Sequence, residues 1–91
     1  MSLEIYPLQG EEALEFSGFT YDRYRHLVKN EEANRHAFYS IAARLDHEPV
    51  GLALCEQVSP DIAELRSLFV LPSHRRQGVA GELLRLSLIH I

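Results

Sequence analysis

The spacing of the hydrophobic residues changes along the chain, and each spacing predicts a different kind of element. A short apolar run predicts a first strand over residues 3–8. Residues 11–30 then carry apolar side chains at helical rather than strand spacing, with Gly18 as an interruption. We therefore expect a loose turn or loop as far as Phe19 and a helix over residues 20–29, for which Thr20 is a suitable N-cap.

From Ala37 onward the apolar residues recur at every second position, which is typical of strands that bury one face. Three strands are predicted in succession, over residues 37–45, 50–58 and 62–71. The polar segments 46–49 and 59–61 contain proline and are suited to tight reversals. In the strand over 50–58 we expect one face to carry Val50, Leu52, Leu54 and Glu56, and the other to carry the small residues Gly51, Ala53 and Cys55.

The last predicted strand leads into a basic turn and a second helix. Pro72 ends the strand because proline cannot donate a ladder hydrogen bond, and the apolar residues after Gly78 recur at helical spacing. A glycine turn that opens a helix presents unpaired backbone N–H groups at the positive end of the helix dipole. Because Arg75 and Arg76 add positive charge there, residues 75–81 are predicted to bind a phosphate or pyrophosphate.

The segment from Leu68 to Ala80 resembles the signature of the GCN5-related N-acetyltransferases, in which a central strand leads into an Arg/Gln-x-x-Gly-x-Gly/Ala loop. Arg75, Gly78 and Ala80 stand at the three defining positions, whereas many members carry glycine where this chain has Arg76. The resemblance implies an α/β fold with a mixed, mainly antiparallel sheet and flanking helices, incomplete at its C-terminus. It also implies transfer of an acetyl group from acetyl-CoA to a primary amine, by direct attack and without a metal.

The resemblance further implies which residues hold the cosubstrate. Backbone groups of the strand are expected to pair with the pantetheine arm, and those of the turn to bind the pyrophosphate. The residues so predicted are Leu68, Phe69, Val70, Arg75, Arg76, Gln77, Gly78, Val79, Ala80 and Gly81.

Glu64 is the predicted general base, because it lies six residues before Val70 on the same strand, where some members of the family carry a glutamate. Partial burial beside apolar strands would raise the pKa of such a carboxyl toward neutrality. The alternative is that Glu64 only forms an ion pair with Arg66 or another basic residue. The general acid of similar enzymes is a tyrosine on a later helix, and no tyrosine of this chain stands in an equivalent position.

Four aromatic residues after the first strand have two interpretations. In the family this segment helps to shape the acceptor side, so the aromatic side chains are candidates for lining it. Alternatively they simply pack on the sheet. The residues are Phe16, Phe19, Tyr21 and Tyr24, and the acceptor itself stays open.

Composition narrows the functional classes. The 91 residues have a net charge of −4, which gives no general attraction to nucleic acid. No apolar run approaches the roughly 20 residues that cross a bilayer, and the start lacks a basic signal, so we expect a cytoplasmic protein without membrane contact. Cys55 is interpreted as a buried hydrophobic residue rather than a nucleophile, and the five histidines show no metal-ligand spacing.

The extent of the chain leads to a further expectation. Residues 1–91 are interpreted as part of one acetyltransferase domain, and residues 86–91 match the in-frame translation of a transposon-end sequencing adaptor. The fragment is expected to be inactive alone and prone to self-association, including homodimer formation, through an unpaired strand edge. The alternatives are a non-catalytic coenzyme A-binding or interaction module completed by a partner chain, or a small structural protein that binds no anion.

Overall fold

The computed structural model describes residues 2–8, 10–21, 38–75 and 78–89. Four antiparallel strands form one sheet in the order β1-β2-β3-β4. They are β1 (Leu3–Pro7), β2 (Phe38–Leu45), β3 (Glu48–Ser59) and β4 (Ile62–Val70). This confirms the expected α/β fold with a mainly antiparallel sheet, and the strand bounds differ from the predicted ones by only a few residues.

Helical segments flank the sheet. Among the described residues between β1 and β2, two short 3-10 turns, Gly10–Glu12 and Ser17–Phe19, lie on either side of the four-residue helix α1 (Ala13–Phe16). After β4 another 3-10 turn, Pro72–His74, precedes the 11-residue helix α2 (Val79–Ile89). The helix predicted over residues 20–29 falls almost entirely outside the described residues. No helix among the described residues has the length and hydrophobicity needed to cross a bilayer.

The reversal between β2 and β3 is shorter than the polar segment predicted. Only Asp46 and His47 form the turn, with φ angles of 50° and 74°, and β3 already begins at Glu48. Positive φ at both central residues is the geometry of a two-residue hairpin turn whose twist matches that of the strands. Aspartate and histidine adopt this region more readily than most residues, so glycine is not required.

A β-bulge corrects the predicted facing of Val50. Ala43 pairs with Gly51 while Arg44 pairs with Pro49, so Val50 is an extra residue in β3. The bulge places Val50 in the core beneath α2 together with Ala43, and not on the face of Leu52 as strict alternation predicted.

The core is divided between the two faces of the sheet. On the α2 face, buried residues from three strands and from the helix itself form one cluster: Ile41, Ala43, Val50, Ala53, Val70, Val79 and Leu83. On the α1 face the buried cluster is smaller: Ala13, Phe16, Ala42 and Leu52. Gly51 lets α2 approach the sheet, because a Cβ there would lie 3.0 Å from Leu83 Cδ1 and 3.1 Å from the Phe69 carbonyl oxygen.

A charged network holds the α1 segment to the sheet. Arg44 on β2 donates to the Glu12 carboxylate at 2.9 Å and to the Tyr6 hydroxyl at 2.7 Å, and it also pairs with Glu15. Its guanidinium carbon lies 5.1 Å from the centroid of the Phe16 ring. The Tyr6 hydroxyl donates to Glu12 in turn. Hydrogen bonds from Tyr6 and from Arg44 hold the pKa of Glu12 below its ordinary value.

Candidate functional site

The predicted anion site begins where α2 begins. Gly78 has a φ of +80°, and its carbonyl accepts the N–H of Glu82 at 3.1 Å as the first bond of the helix. The backbone N–H groups of Gly78, Val79, Ala80 and Gly81 therefore have no partner within the helix. They lie at the positive end of an 11-residue helix.

The two glycines of this turn are uncrowded among the described residues. A Cβ built on Gly78 or on Gly81 would meet no atom within 4 Å, so the glycine at 78 is required by its backbone conformation and not by crowding. Val79 is buried in the core and anchors the turn, whereas Gly78 and Gly81 are exposed. A pyrophosphate binds where backbone N–H groups without a partner in the helix are accessible. Arg76 and Gln77 lie outside the described residues.

The second half of the predicted site is the edge of β4. In the described sheet β4 is a terminal strand, paired on one side with β3. The Leu71 N–H donates to the Val50 carbonyl at 2.9 Å, and neighbouring residues of an antiparallel strand direct their backbone groups to opposite sides. Leu68 and Val70 therefore direct their N–H and C=O groups to the open edge. Phe69 directs its own toward β3 and contributes a side chain instead.

Glu64, the predicted base, lies in an ion pair on β4. Arg66 Nη2 is 2.9 Å from Glu64 Oε2, and the same arginine donates through Nε to Glu56 at 2.8 Å. The Glu64 side chain is 51% exposed, so about half of it is buried. The alternative interpretation, an ion pair with Arg66, describes the geometry. The catalytic role of Glu64 stays a prediction.

The arginine bridge follows from a second β-bulge, which alternation along the sequence did not reveal. Ser67 pairs with Leu54 while Leu65 pairs with Cys55, so Arg66 is an extra residue in β4. The bulge lets Arg66 reach carboxylates on both strands. Glu56 was missed as a member of this site; its only sequence signal is a charge on an otherwise apolar strand face.

The aromatic segment lies against β4 on the α1 face. The ring centroids of Phe19 and Phe69 are 5.1 Å apart, and those of Phe16 and Phe19 are 5.6 Å apart. Phe16 is fully buried, which agrees with the packing interpretation for that residue, whereas Tyr21 is 62% exposed. Tyr24 lies outside the described residues.

A hydrogen bond that the sequence did not suggest joins the aromatic segment to β4. The hydroxyl oxygens of Thr20 and Ser67 are 2.6 Å apart, and Ser67 is buried. The segment that follows β1 is therefore attached to the same strand whose edge carries the predicted pantetheine contacts.

Cys55 lies beside a small apolar cavity of about 180 Å³ between α2 and the sheet. Burial raises the pKa of its thiol, and burial also raises the pKa of neighbouring Tyr39 to about 12. A buried thiol with a raised pKa is a poor nucleophile, which agrees with the interpretation of Cys55 as a hydrophobic residue. Over the described ranges, no three His, Cys, Asp or Glu side chains come together as metal ligands.

Comparison with known proteins shows the family and the fold of this chain. The sequence model described as the acetyltransferase (GNAT) family matches residues 3–90. The chain belongs to this family. No curated protein sequence matches it. Among solved structures, AAC(6′)-Iy in complex with the bisubstrate analogue CoA-S-monomethyl-acetylneamine superposes with a TM-score of 0.75 at 20% identity, covering 94% of this chain and 69% of that chain.

Two further structures give the same result. A ribosomal-protein-alanine N-acetyltransferase from Brucella melitensis biovar Abortus 2308 has a TM-score of 0.75 at 18% identity, covering 94% of this chain and 69% of that chain. A GNAT-family acetyltransferase from Staphylococcus aureus Mu50 has a TM-score of 0.77 at 16% identity, covering 93% and 62%. At these identities the likeness shows the acyl-CoA N-acyltransferase fold. This GNAT chain spans 62–69% of the length of these three structures.

Proposed function

We propose that the complete protein transfers an acetyl group from acetyl-CoA to a primary amine. The observation that carries this proposal is the position of Gly78. It has a φ of +80° and stands at the start of α2, a short segment after the end of the open-edged strand β4. The family supports it, and so do structural neighbours crystallised with coenzyme A or an analogue of it. Because the chain covers only part of those neighbours, the activity is proposed for the whole protein, and the 91-residue chain is proposed to be inactive alone.

The N–H groups at the start of α2 bind the pyrophosphate in this proposal. Glycine at 78 and 81 lets the phosphate oxygens approach the backbone, and the guanidinium of Arg75 adds a positive charge. Leu68 and Val70 pair with the amides of the pantetheine arm as an added strand would, because their backbone groups face the open edge. Arg76 and Gln77, which stand between Arg75 and Gly78 in the sequence, complete the proposed set of coenzyme A-binding residues.

Acetyl-CoA, when bound, supplies the acetyl group as a thioester; as the amine forms the new C–N bond the C–S bond breaks, and coenzyme A leaves as the thiol with the amine's second proton. A backbone N–H at the open edge of β4 is proposed to donate to the thioester oxygen, where negative charge develops during attack. Glu64 is proposed to accept a proton from the incoming ammonium through a water. The class of amine acceptor stays open, because the acceptors of the similar solved structures are properties of those proteins.

Calorimetric titration of the intact protein with coenzyme A tests the binding half. Wild type is expected to bind, and Gly78→Glu to lose binding by more than about a hundredfold, because it strains the turn and places a carboxylate in the anion site. The matched control is Gly18→Glu, the same change at an exposed glycine with open space around it and no positive φ. Gly78→Asn adds no charge and tolerates the backbone angle, so it separates the charge effect from misfolding.

Acetylation of a panel of amines tests the chemical half. If Glu64→Gln lowers kcat but retains the affinity for acetyl-CoA, the result supports Glu64 as the proposed base. Glu56→Gln is the matched control, because Glu56 binds the same arginine from the neighbouring strand. Coenzyme A binding without transfer to any amine would favour the non-catalytic module. A folded protein that binds no coenzyme A would overturn both.

A further inference from the structure

Arg75 stands between β4 and the glycine turn, and its side chain contacts the strand. Its Nε–H donates to the carbonyl oxygen of Val70, with 3.1 Å between the two atoms. The bond is partly buried and closes the chain over the 3-10 turn Pro72–His74. Arg75 thereby ties the turn back to the last residue of the strand.

The accepting carbonyl lies at the open edge of the sheet. Since Leu71 donates to Val50 on β3, Val70 directs both of its backbone groups away from β3. The described sheet has no further strand on that side. The bond from Arg75 therefore fixes the peptide group that follows Val70 at the edge where the proposed arm binds.

The same guanidinium keeps donors for an anion. Among the described residues, no carboxylate lies within ion-pair distance of Arg75, in contrast to Arg44, Arg66 and Arg85. A guanidinium is planar and carries five N–H donors in a fixed arrangement. A bond through Nε thus sets the plane in which the two Nη groups lie.

We infer that Arg75 is a positioning residue that joins the two halves of the coenzyme A site, an inference that rests on the proposed function. Its Nε–H holds the end of β4 in the orientation that presents the Val70 N–H to the pantetheine arm, and its Nη groups remain for the pyrophosphate. An arginine that only supplied charge to the pyrophosphate would not affect a ligand that lacks this group. Pantetheine is such a ligand.

The test compares pantetheine with coenzyme A by NMR titration of the intact protein. Arg75→Ala is expected to weaken pantetheine binding about fivefold, the cost of one lost hydrogen bond, and coenzyme A binding by a larger factor. Arg75→Gln retains a side-chain N–H for the Val70 carbonyl without the charge. It is expected to lose less pantetheine affinity than Arg75→Ala while still losing coenzyme A affinity.

Arg85→Gln is the control, because Arg85 is an exposed arginine on α2 that pairs only with Glu82 among the described residues. It is expected to leave both affinities unchanged. A second readout needs no ligand. Amide hydrogen exchange at Leu71, which shares the Val70 peptide group, is expected to accelerate in Arg75→Ala and much less in Arg75→Gln.

Each contrary result has a distinct meaning. If Arg75→Ala weakens only coenzyme A binding and leaves the pantetheine affinity unchanged, the positioning role is overturned. Arg75 would then act only by binding the pyrophosphate. Wild type that binds coenzyme A but not pantetheine would overturn the assignment of the β4 edge. Wild type that binds neither would overturn the proposed function, and unchanged exchange at Leu71 would overturn the inference on its own.

Discussion

The two faces of the sheet are held together by different balances of forces. Beneath α2 the contacts are mainly apolar, with Leu83 fully buried and Val79 and Val50 nearly so. Beneath α1 a smaller apolar cluster around Phe16 is supplemented by Arg44 and its bonds to Glu12. Hydrophobic burial is non-directional and grows with area, whereas a charged network depends on geometry and pH. We therefore expect packing on the α2 face, which supports the predicted phosphate turn at Gly78, to depend little on pH. Packing on the α1 face, which carries the candidate acceptor segment, is expected to depend on it.

The largest effect is expected from breaking the α2 face. Leu83→Ala leaves a cavity between α2 and the sheet and should lower the free energy of unfolding by about 3 kcal/mol, measured by urea denaturation. Leu84→Ala is the control on the next residue, since Leu84 is 38% exposed, and its cost should stay below about 1 kcal/mol. Equal costs for the two variants would mean that α2 is not packed on this face.

A smaller effect is expected from breaking the α1 face. Arg44→Met retains an apolar side chain over Phe16 but removes the bonds to Glu12, Glu15 and Tyr6, and should cost about 2 kcal/mol in urea denaturation. The control is Arg85→Met, whose exposed ion pair with Glu82 should be worth less than about 0.5 kcal/mol. A cost for Arg44→Met as large as that of Leu83→Ala would remove the distinction between the two faces.

The smallest effect is the pH dependence of the α1 face. Because the pKa of Glu12 is lower in the folded protein than its ordinary value of 4.5, the folded protein binds this proton less strongly than the unfolded chain. Its stabilising contribution is present above pH 4.5 and is lost as the pH falls through the folded pKa. Glu12→Gln should therefore flatten the loss of stability in acid, measured from urea midpoints at about pH 7, 5, 4 and 3.

Glu11→Gln is the control for this pH experiment, because Glu11 is the exposed neighbour of Glu12 and has no bond to Arg44 among the described contacts. Its acid profile should follow that of wild type. Identical profiles for wild type and Glu12→Gln would show that the network does not select the ionised carboxylate.

Local sequence patterns predicted most of the strands and the position of the glycine turn that precedes α2. Alternation of apolar residues located β2, β3 and β4. Pro72 and Gly78, which flank the basic turn, marked its two ends. These properties depend on a few successive residues, so they can be interpreted without knowing what the segments pack against. The family signature around Arg75 and Gly78 is local for the same reason.

The β-bulges at Val50 and Arg66 could not be predicted in this way. Each depends on how two strands pair, and pairing is decided by the whole sheet and not by either strand alone. The bulge at Val50 changed the face on which that residue packs, and the bulge at Arg66 brought an arginine between two carboxylates.

The sequence by itself determined the strands, the positive turn and the glycine that opens α2, because backbone preference and side-chain period act over short distances. Only the tertiary structure decided that Arg44 joins the α1 segment to the sheet, that Glu64 pairs with Arg66, and that Arg75 binds the end of β4. Such contacts depend on side-chain reach and strand register in the folded chain, and a flexible arginine can meet many acceptors until the fold leaves one within hydrogen-bond distance.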